Sequence, residues 1–247
     1  MKLGVVCALH TEACTLVHAL EMVSQADSKE YQTAIANRSE LKLIVSGMGS
    51  DRAEIAARSL VEEGVDFLIS WGFAGGLDPV LGSGALIIPA ALVTPEGQEH
   101  PASLHIDRPF LEAVATTVQV LDKPLVSVEK AVTTVEEKQM LFSKSGAVAV
   151  DMESAAIASV AQDTGINFAA VRAVLDGANR SLPRFIDQAV DEFGSVKIGS
   201  FIRSLARYPS DLFTLSSLMR GSGIAQRCLR QTASRLPAVV QTLEEQI

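Results

Sequence analysis

The chain carries acidic side chains where apolar runs come to an end. In Ala149-Val150-Asp151-Met152-Glu153-Ser154-Ala155-Ala156, Asp151 and Glu153 straddle a strand-to-helix turn. One helix length later the run Phe168 to Leu175 stops at Asp176, and a single charge, Arg172, lies inside it. Glu12 follows the first apolar run, Lys2 to Ala8, and faces the same edge. In open α/β sheets ligands bind beyond the carboxyl ends of strands. A carboxylate pair there suits the hydroxyls of a sugar. A lone acid at the mouth of an apolar strand has a route to a raised pKa through desolvation, and so to protonating a leaving group. These are the parts that cleavage of a glycosidic bond requires.

Each acid also has an ordinary explanation. Asp151 and Glu153 could cap a helix and complement its dipole. Arg172 weighs against that, because a buried arginine needs a carboxylate partner, and one of the pair would then remain for a hydroxyl pair. Asp176 could cap the turn before Gly177, and Glu12 could be a solvated first-turn residue. Two glycine segments accompany the acids. Gly47-Met48-Gly49 opens a helix, but a dinucleotide fingerprint would need a third glycine where Arg52 stands. Its helix-start amides suit an anion or a polarised oxygen, or simply a tight turn. Trp71-Gly72-Phe73-Ala74-Gly75-Gly76 leaves backbone donors bare at a strand exit, which suits a purine or ribose lying against the main chain.

The elements that must hold these residues alternate. Strands are expected at Lys2 to Ala8, Leu41 to Val45, Val65 to Ser70, Ala85 to Val93 (bulged or at an edge because of Pro89), Leu125 to Glu129, Ala147 to Val150 and Phe168 to Leu175. Helices are expected at Thr11 to Met22, Asp51 to Glu63 with Ile55, Ala56 and Leu60 inward, Pro109 to Val118, Val135 to Ser143 and Ser154 to Gln162. Such alternation predicts an α/β fold, a single layered domain with a central, mostly parallel twisted sheet flanked by helices, over residues 1–182. A helical C-terminal extension over 183–247, with breaks at Gly194, Pro209 and Gly221-Gly223, is expected to pack on it.

Bulk properties narrow the function classes. At 247 residues with 48% apolar content the chain supports a sizeable core. A net charge of −8 and 5% aromatics argue against nucleic-acid binding. Cys7, Cys14 and Cys228 lack metal or redox spacing, so a cytoplasmic setting without a metal is expected. No run reaches the roughly 18 apolar residues of a membrane span, and no cleavage-site pattern follows Met1 to Ala8. Between Ile202 and Arg235 six arginines face one acid, Asp211, beside Phe201, Leu205, Leu212, Phe213, Leu215, Leu218 and Met219. That tail reads as a docked cover, or as a greasy channel with peripheral membrane contact.

Together the motifs resemble the nucleoside phosphorylase and nucleosidase superfamily, which includes purine nucleoside phosphorylases and methylthioadenosine/S-adenosylhomocysteine nucleosidases. The resemblance is collinear from Met1 to about Leu182. It rests on Gly4-Val5-Val6 with Glu12, Ser46-Gly47-Met48-Gly49, Gly72 to Gly76, Val150 to Glu153 and Val171 to Asp176. Gly47 to Glu54, Ala74 to Pro79 and Asp151 to Ala156 look most like the hopanoid-biosynthesis-associated phosphorylases, as do Arg180 to Pro183 and the Arg-rich tail.

By position, the resemblance implies that Glu153 binds ribose hydroxyls while Met152 lines the sugar. Asp176 would protonate or hydrogen-bond a leaving adenine, and Glu12 would activate water. Ala131 and Val132, with Ala74 and Gly75, would hold the base. Phe73 stands where relatives place a small hydroxyl residue near phosphate or water. Gly49, Ser50 and Arg52 are the remaining residues for a phosphate or water site. The implied substrate is an adenosyl-type nucleoside, lipid-linked in the case of adenosylhopane, cleaved without a cofactor by a homo-oligomer, with phosphate or water as nucleophile. A binding module without chemistry and a Rossmann oxidoreductase are the competing classes. Asp176→Asn is expected to cut turnover with little change in folding.

Overall fold

The computed structural model describes residues 1–24, 29–36, 39–183, 193 and 211–245. Strands β1 (Lys2–Cys7), β2 (Val23–Ser24), β3 (Glu30–Ala36), β4 (Ser39–Val45) and β5 (Phe67–Gly76) come first. They are followed by β6 (Leu86–Ile87), β7 (Leu92–Val93), β8 (Leu125–Ser127), β9 (Ala149–Asp151) and β10 (Asn167–Asp176). Helices are α1 (His10–Leu20), α2 (Ser50–Glu62), α3 (Arg108–Ala115), α4 (Val135–Ser145), α5 (Ser154–Thr164), α6 (Asp211–Ala233) and α7 (Leu236–Glu244). This is the α/β architecture expected from the alternating pattern.

The ten strands form one mixed sheet in the order β2-β3-β4-β1-β5-β9-β8-β7, with β10 against β5 and β6 against β10. The centre, β4-β1-β5-β10, is parallel. Antiparallel pairs lie toward the margins, at β2–β3, β3–β4, β5–β9 and β6–β10.

Alternation along the central strands sorts the core onto two faces. Leu3, Val5, Ile69, Trp71, Val171 and Ala173 join α1, α6 and α7 on one face. Val6, Leu68, Phe168, Ala170 and Val174 join α2 and α5 on the other. Helix α2 offers Ala53, Ala56, Ala57 and Leu60, one i, i+3, i+4, i+7 stripe, and the small side chains let it pack closely on α5. Ile55 falls off that stripe and is 70% exposed, so its assignment to the inner face is corrected.

Three other expectations change. The Ala85–Val93 strand is two short strands serving different partners: β6 pairs with β10 and β7 with β8. Pro89 has no N–H to continue a ladder, and the chain crosses between them there. β2 and β3 are strands that the periodicity of Val23 to Ala36 did not suggest. Finally, α6 runs unbroken through Gly221 and Gly223. A side chain at Gly221 would collide with the Leu175 carbonyl, so the glycine lets this helix lie directly on the end of β10.

The C-terminal helices are docked. Ala225, Leu229 and Ala233 of α6 and Leu236, Val239, Val240 and Leu243 of α7 are buried in the same cluster as β1 and β5. Expectations for residues 184–192 and 194–210, including Phe201 and Leu205, lie outside the described residues, as do the side chains of Leu212, Phe213 and Leu215. Leu218 is partly buried, and Met219 is exposed.

Candidate active site

A cavity of about 170 Å³ opens where β1, β5, β9 and β10 end. Glu12, Glu153 and Asp176 all line it, although 164 positions separate the first from the last. Phe73, Ala74, Gly75, Ala131, Val132 and Met152 line it as well.

Glu12 reaches the cavity because β1 stops at Cys7 and α1 starts at His10, which folds the first helical turn back under the strand ends. It is 3% exposed, not solvated. Its Oε2 accepts the Leu9 amide at 2.8 Å and its Oε1 the Phe73 amide at 2.7 Å. Helix α1 is held in that pose by a polar chain: Trp71 Nε1 donates to Thr15 Oγ1 at 3.0 Å, and Thr15 donates to the Glu12 carbonyl at 2.6 Å. Burial raises the Glu12 pKa, while nearby Arg172 and the two amides pull the other way. Each carboxylate oxygen keeps a lone pair for a further partner.

Gly72 makes this arrangement sterically feasible. A Cβ there would collide with both Arg172 Nη1 and Glu12 Oε1. Both groups are buried and hydrogen-bonded, so neither can swing away cheaply. Gly72→Ala is therefore expected to reduce turnover by about 10²-fold through displacement of Glu12. A crystal structure or an activity assay showing Glu12 and turnover unaltered in this variant would contradict the steric argument.

Arg172 chooses Asp151. Nε donates to Asp151 Oδ2 at 2.8 Å, and Nη2 stands 2.7 Å from the same atom. Nη2 also donates to Ser70 Oγ at 2.6 Å and Ser154 Oγ at 3.1 Å. Asp151 accepts in addition from Ser127 Oγ at 2.5 Å and from the Ser154 amide at 3.1 Å, so its capping role and its ion pair coexist. The ion pair is buried at both ends, which is tolerable only because its hydrogen bonds are filled.

Glu153 is the carboxylate left over. Its Oε2 is 3.9 Å from Arg172 Nη2, and its Oε1 accepts the Gly49 amide at 3.0 Å. Gly49 holds φ at +104°, a conformation that suits glycine. Desolvation, partly offset by Arg172, pushes the Glu153 pKa up to about 7. It thus shares its proton readily near neutrality, which suits a pair of hydroxyls that can both donate and accept.

Asp176 closes the other side at the end of β10, where the ladder with β5 shifts register between Val174 and Asp176. Burial raises its pKa above the ordinary aspartate range, against the opposing pull of Lys138. Lys138, fully buried on α4, contacts Asp176 Oδ2. Ala131 and Val132 stand just before α4, and Leu182 is tied to them by its amide bonding to the Thr133 carbonyl at 2.8 Å.

The remaining phosphate candidates fall elsewhere. Ser50 and Arg52 do not line the cavity; Ser50 points to Asp51, and Arg52 Nη1 lies 3.4 Å from the Met48 carbonyl. Gly49 contributes only the amide that Glu153 accepts. Among the described residues, no cluster of three or more His, Cys, Asp or Glu side chains is arranged to hold a metal. No described helix is long and apolar enough to cross a membrane. Sequence reasoning missed Lys138 and the serines 70, 127 and 154 around Arg172. The one available signal was a lysine at helical spacing from Val135, Leu141 and Phe142, a weak one.

Comparison with known proteins identifies the family and the fold. The profile of the phosphorylase superfamily matches residues 2–206. A 5′-methylthioadenosine/S-adenosylhomocysteine nucleosidase from Shewanella halifaxensis is 28% identical over 217 residues, covering 78% of this chain and 94% of that protein. The enzyme of the same name from Staphylococcus aureus is 28% identical over 212 residues, 76% and 93% of the two chains. Among solved structures, the Helicobacter pylori nucleosidase of that name superposes with a TM-score of 0.67 at 17% identity over 98% of both chains. The futalosine hydrolase of that organism gives 0.64 at 16% identity, covering 100% of this chain and 98% of that one. These structural likenesses establish a shared fold, and the profile match over most of the sequence establishes descent: the chain belongs to the phosphorylase superfamily.

Proposed function

We propose that the protein cleaves the N-glycosidic bond of an adenosyl-type nucleoside and releases adenine. The observation that supports this most strongly is the convergence of Glu12, Glu153 and Asp176 on one cavity while Asp151 is consumed by Arg172. Glu153 holds the ribose hydroxyls beside Met152, and the base lies against Ala74, Gly75, Ala131 and Val132. As the bond stretches, the sugar gains oxocarbenium character that nearby carboxylates stabilise. Asp176 protonates the departing base and Glu12 takes a proton from the incoming nucleophile.

Water is the favoured nucleophile. Among the described residues no cationic side chain lines the cavity; Arg172 lies behind it in its ion pair with Asp151. A phosphate dianion would meet Glu12 without a countercharge, whereas water meets a base. The free 5′-substituted ribose should therefore form at the same rate with and without added phosphate. A sugar 1-phosphate that appears only when phosphate is added would replace hydrolysis with phosphorolysis.

For the 5′ substituent, Leu9, Met48 and Phe73 give the cavity an apolar wall. That wall, with the resemblance of the Gly47 to Glu54 and Asp151 to Ala156 motifs to hopanoid-associated phosphorylases, supports an apolar group, as in adenosylhopane. The curated relatives favour the smaller methylthio or homocysteinyl group as the second reading. Parallel turnover of methylthioadenosine, S-adenosylhomocysteine and adenosylhopane separates the two by kcat/KM.

A further inference from the structure

The chemistry above leaves one buried cation unused. Lys138 is wholly enclosed, and its ammonium has three hydrogens to place. The structure supplies three acceptors: Asp176 Oδ2, the Gly177 carbonyl at 3.0 Å and the Arg180 carbonyl at 2.8 Å. One side chain thus grips the acid and the segment after β10, which continues to Leu182 on the cavity wall. The other oxygen of Asp176, Oδ1, is the one on the side of Gly75, a residue of the proposed base site. A buried ion pair is a poor source of stability, since apolar replacements of such pairs are often neutral or better. Its value here lies in the reaction.

Resting on the glycosidic reading, we propose that Lys138 is a positioning residue for departure of the base, fixing Asp176 and stabilising the carboxylate that forms when Asp176 gives up its proton. In that step the proton on Asp176 Oδ1 passes to a ring nitrogen of the base. The electrons of the breaking C–N bond pass to the base, which leaves neutral, and water with Glu12 captures the sugar. Asp176 becomes a carboxylate beside an ammonium instead of an isolated anion in a dry site. The ion pair strengthens only as the proton leaves, so it favours the transition state over the ground state.

Among the described residues, the charges acting on Asp176 are Lys138 from α4 and Arg180 from the segment after β10. Glu137, next to Lys138, is turned to the amides of Thr133 and Thr134. Glu12 and Glu153 share the cavity but answer to Arg172.

The test compares Lys138→Met and Lys138→Arg with wild type on methylthioadenosine or adenosylhopane, whichever is turned over, and on p-nitrophenyl β-ribofuranoside, whose phenolate leaves without protonation. Lys138→Met should lose about 10–100-fold in kcat on the nucleoside. Its alkaline limb should move to higher pH, because the acid has lost its cation, and Lys138→Arg should recover part of both. Nitrophenyl riboside turnover should stay within about threefold of wild type. Equal losses on both substrates, or an unmoved alkaline limb, would reduce Lys138 to a structural residue and overturn the inference alone. A wild-type protein that cleaves no nucleoside would remove the glycosidic reading, and this inference with it.

Discussion

Replacing Asp176 by asparagine should lower kcat on an adenosyl nucleoside by about 10²–10⁴-fold, the span expected for a single proton donor. Asparagine preserves the shape and a hydrogen bond to the base but has no proton to surrender. The pH profile provides a second readout. In the proposed mechanism Asp176 acts protonated, and its pKa is raised, so the wild-type rate should hold to higher pH than an ordinary aspartate allows and then fall as pH climbs through that raised value. The variant should lose this alkaline limb. The expectation of little change in folding is refined by Lys138, the buried partner of Asp176. Asparagine keeps an acceptor for the buried ammonium, as the protonated acid does, so stability should drop only at pH values where Asp176 is ionised, and there by less than the roughly 3–5 kcal/mol of stripping a buried pair outright. A melting curve separates the two effects, and wild-type turnover by the folded variant would take Asp176 out of the mechanism.

Glu12→Gln should be nearly as damaging, by about 10²–10⁴-fold in kcat, with binding of a substrate analogue largely kept. The carboxylate accepts two backbone amides at once, from Leu9 and Phe73. Glutamine has one acceptor oxygen, so its NH₂ must face one of those amides, and the group can no longer take a proton from water. In the proposed mechanism Glu12 acts ionised, and its pKa is raised, so the wild-type rate should fall as pH drops through a window above that of a free glutamate, about 4.3. The acid limb should flatten in Glu12→Gln. Undiminished hydrolysis by this variant would shift water activation to another group.

Much of this was readable in the residues because the fold obeys local rules. Apolar runs ending in Glu12, Glu153 and Asp176 placed three acids at strand ends, and the central strands were assigned within a few residues. Arg172 inside an apolar strand correctly implied a carboxylate partner, and choosing Asp151 over Glu153 needed the geometry of Ser127 and the α5 amides. The misses share a cause. Ile55 looks inward by hydrophobicity, but packing of α2 against α5 selects the alanine stripe. Lys138 reads as a surface charge because its three acceptors, one at β10 and two in the turn beyond, are far away in sequence. Gly221 reads as a break until β10 is seen lying beneath it. In each case a contact distant in sequence overrode a local preference.

The main-chain anchoring of Glu12 has an evolutionary consequence. Leu9 and Phe73 hold the carboxylate through amides that any residue but proline possesses, and both residues line the cavity. Descendants of this sequence can therefore exchange those two side chains, and with them the shape of the cavity wall, without disturbing the carboxylate proposed to activate water. Selection for new nucleosides can act on the wall and leave the chemistry inherited.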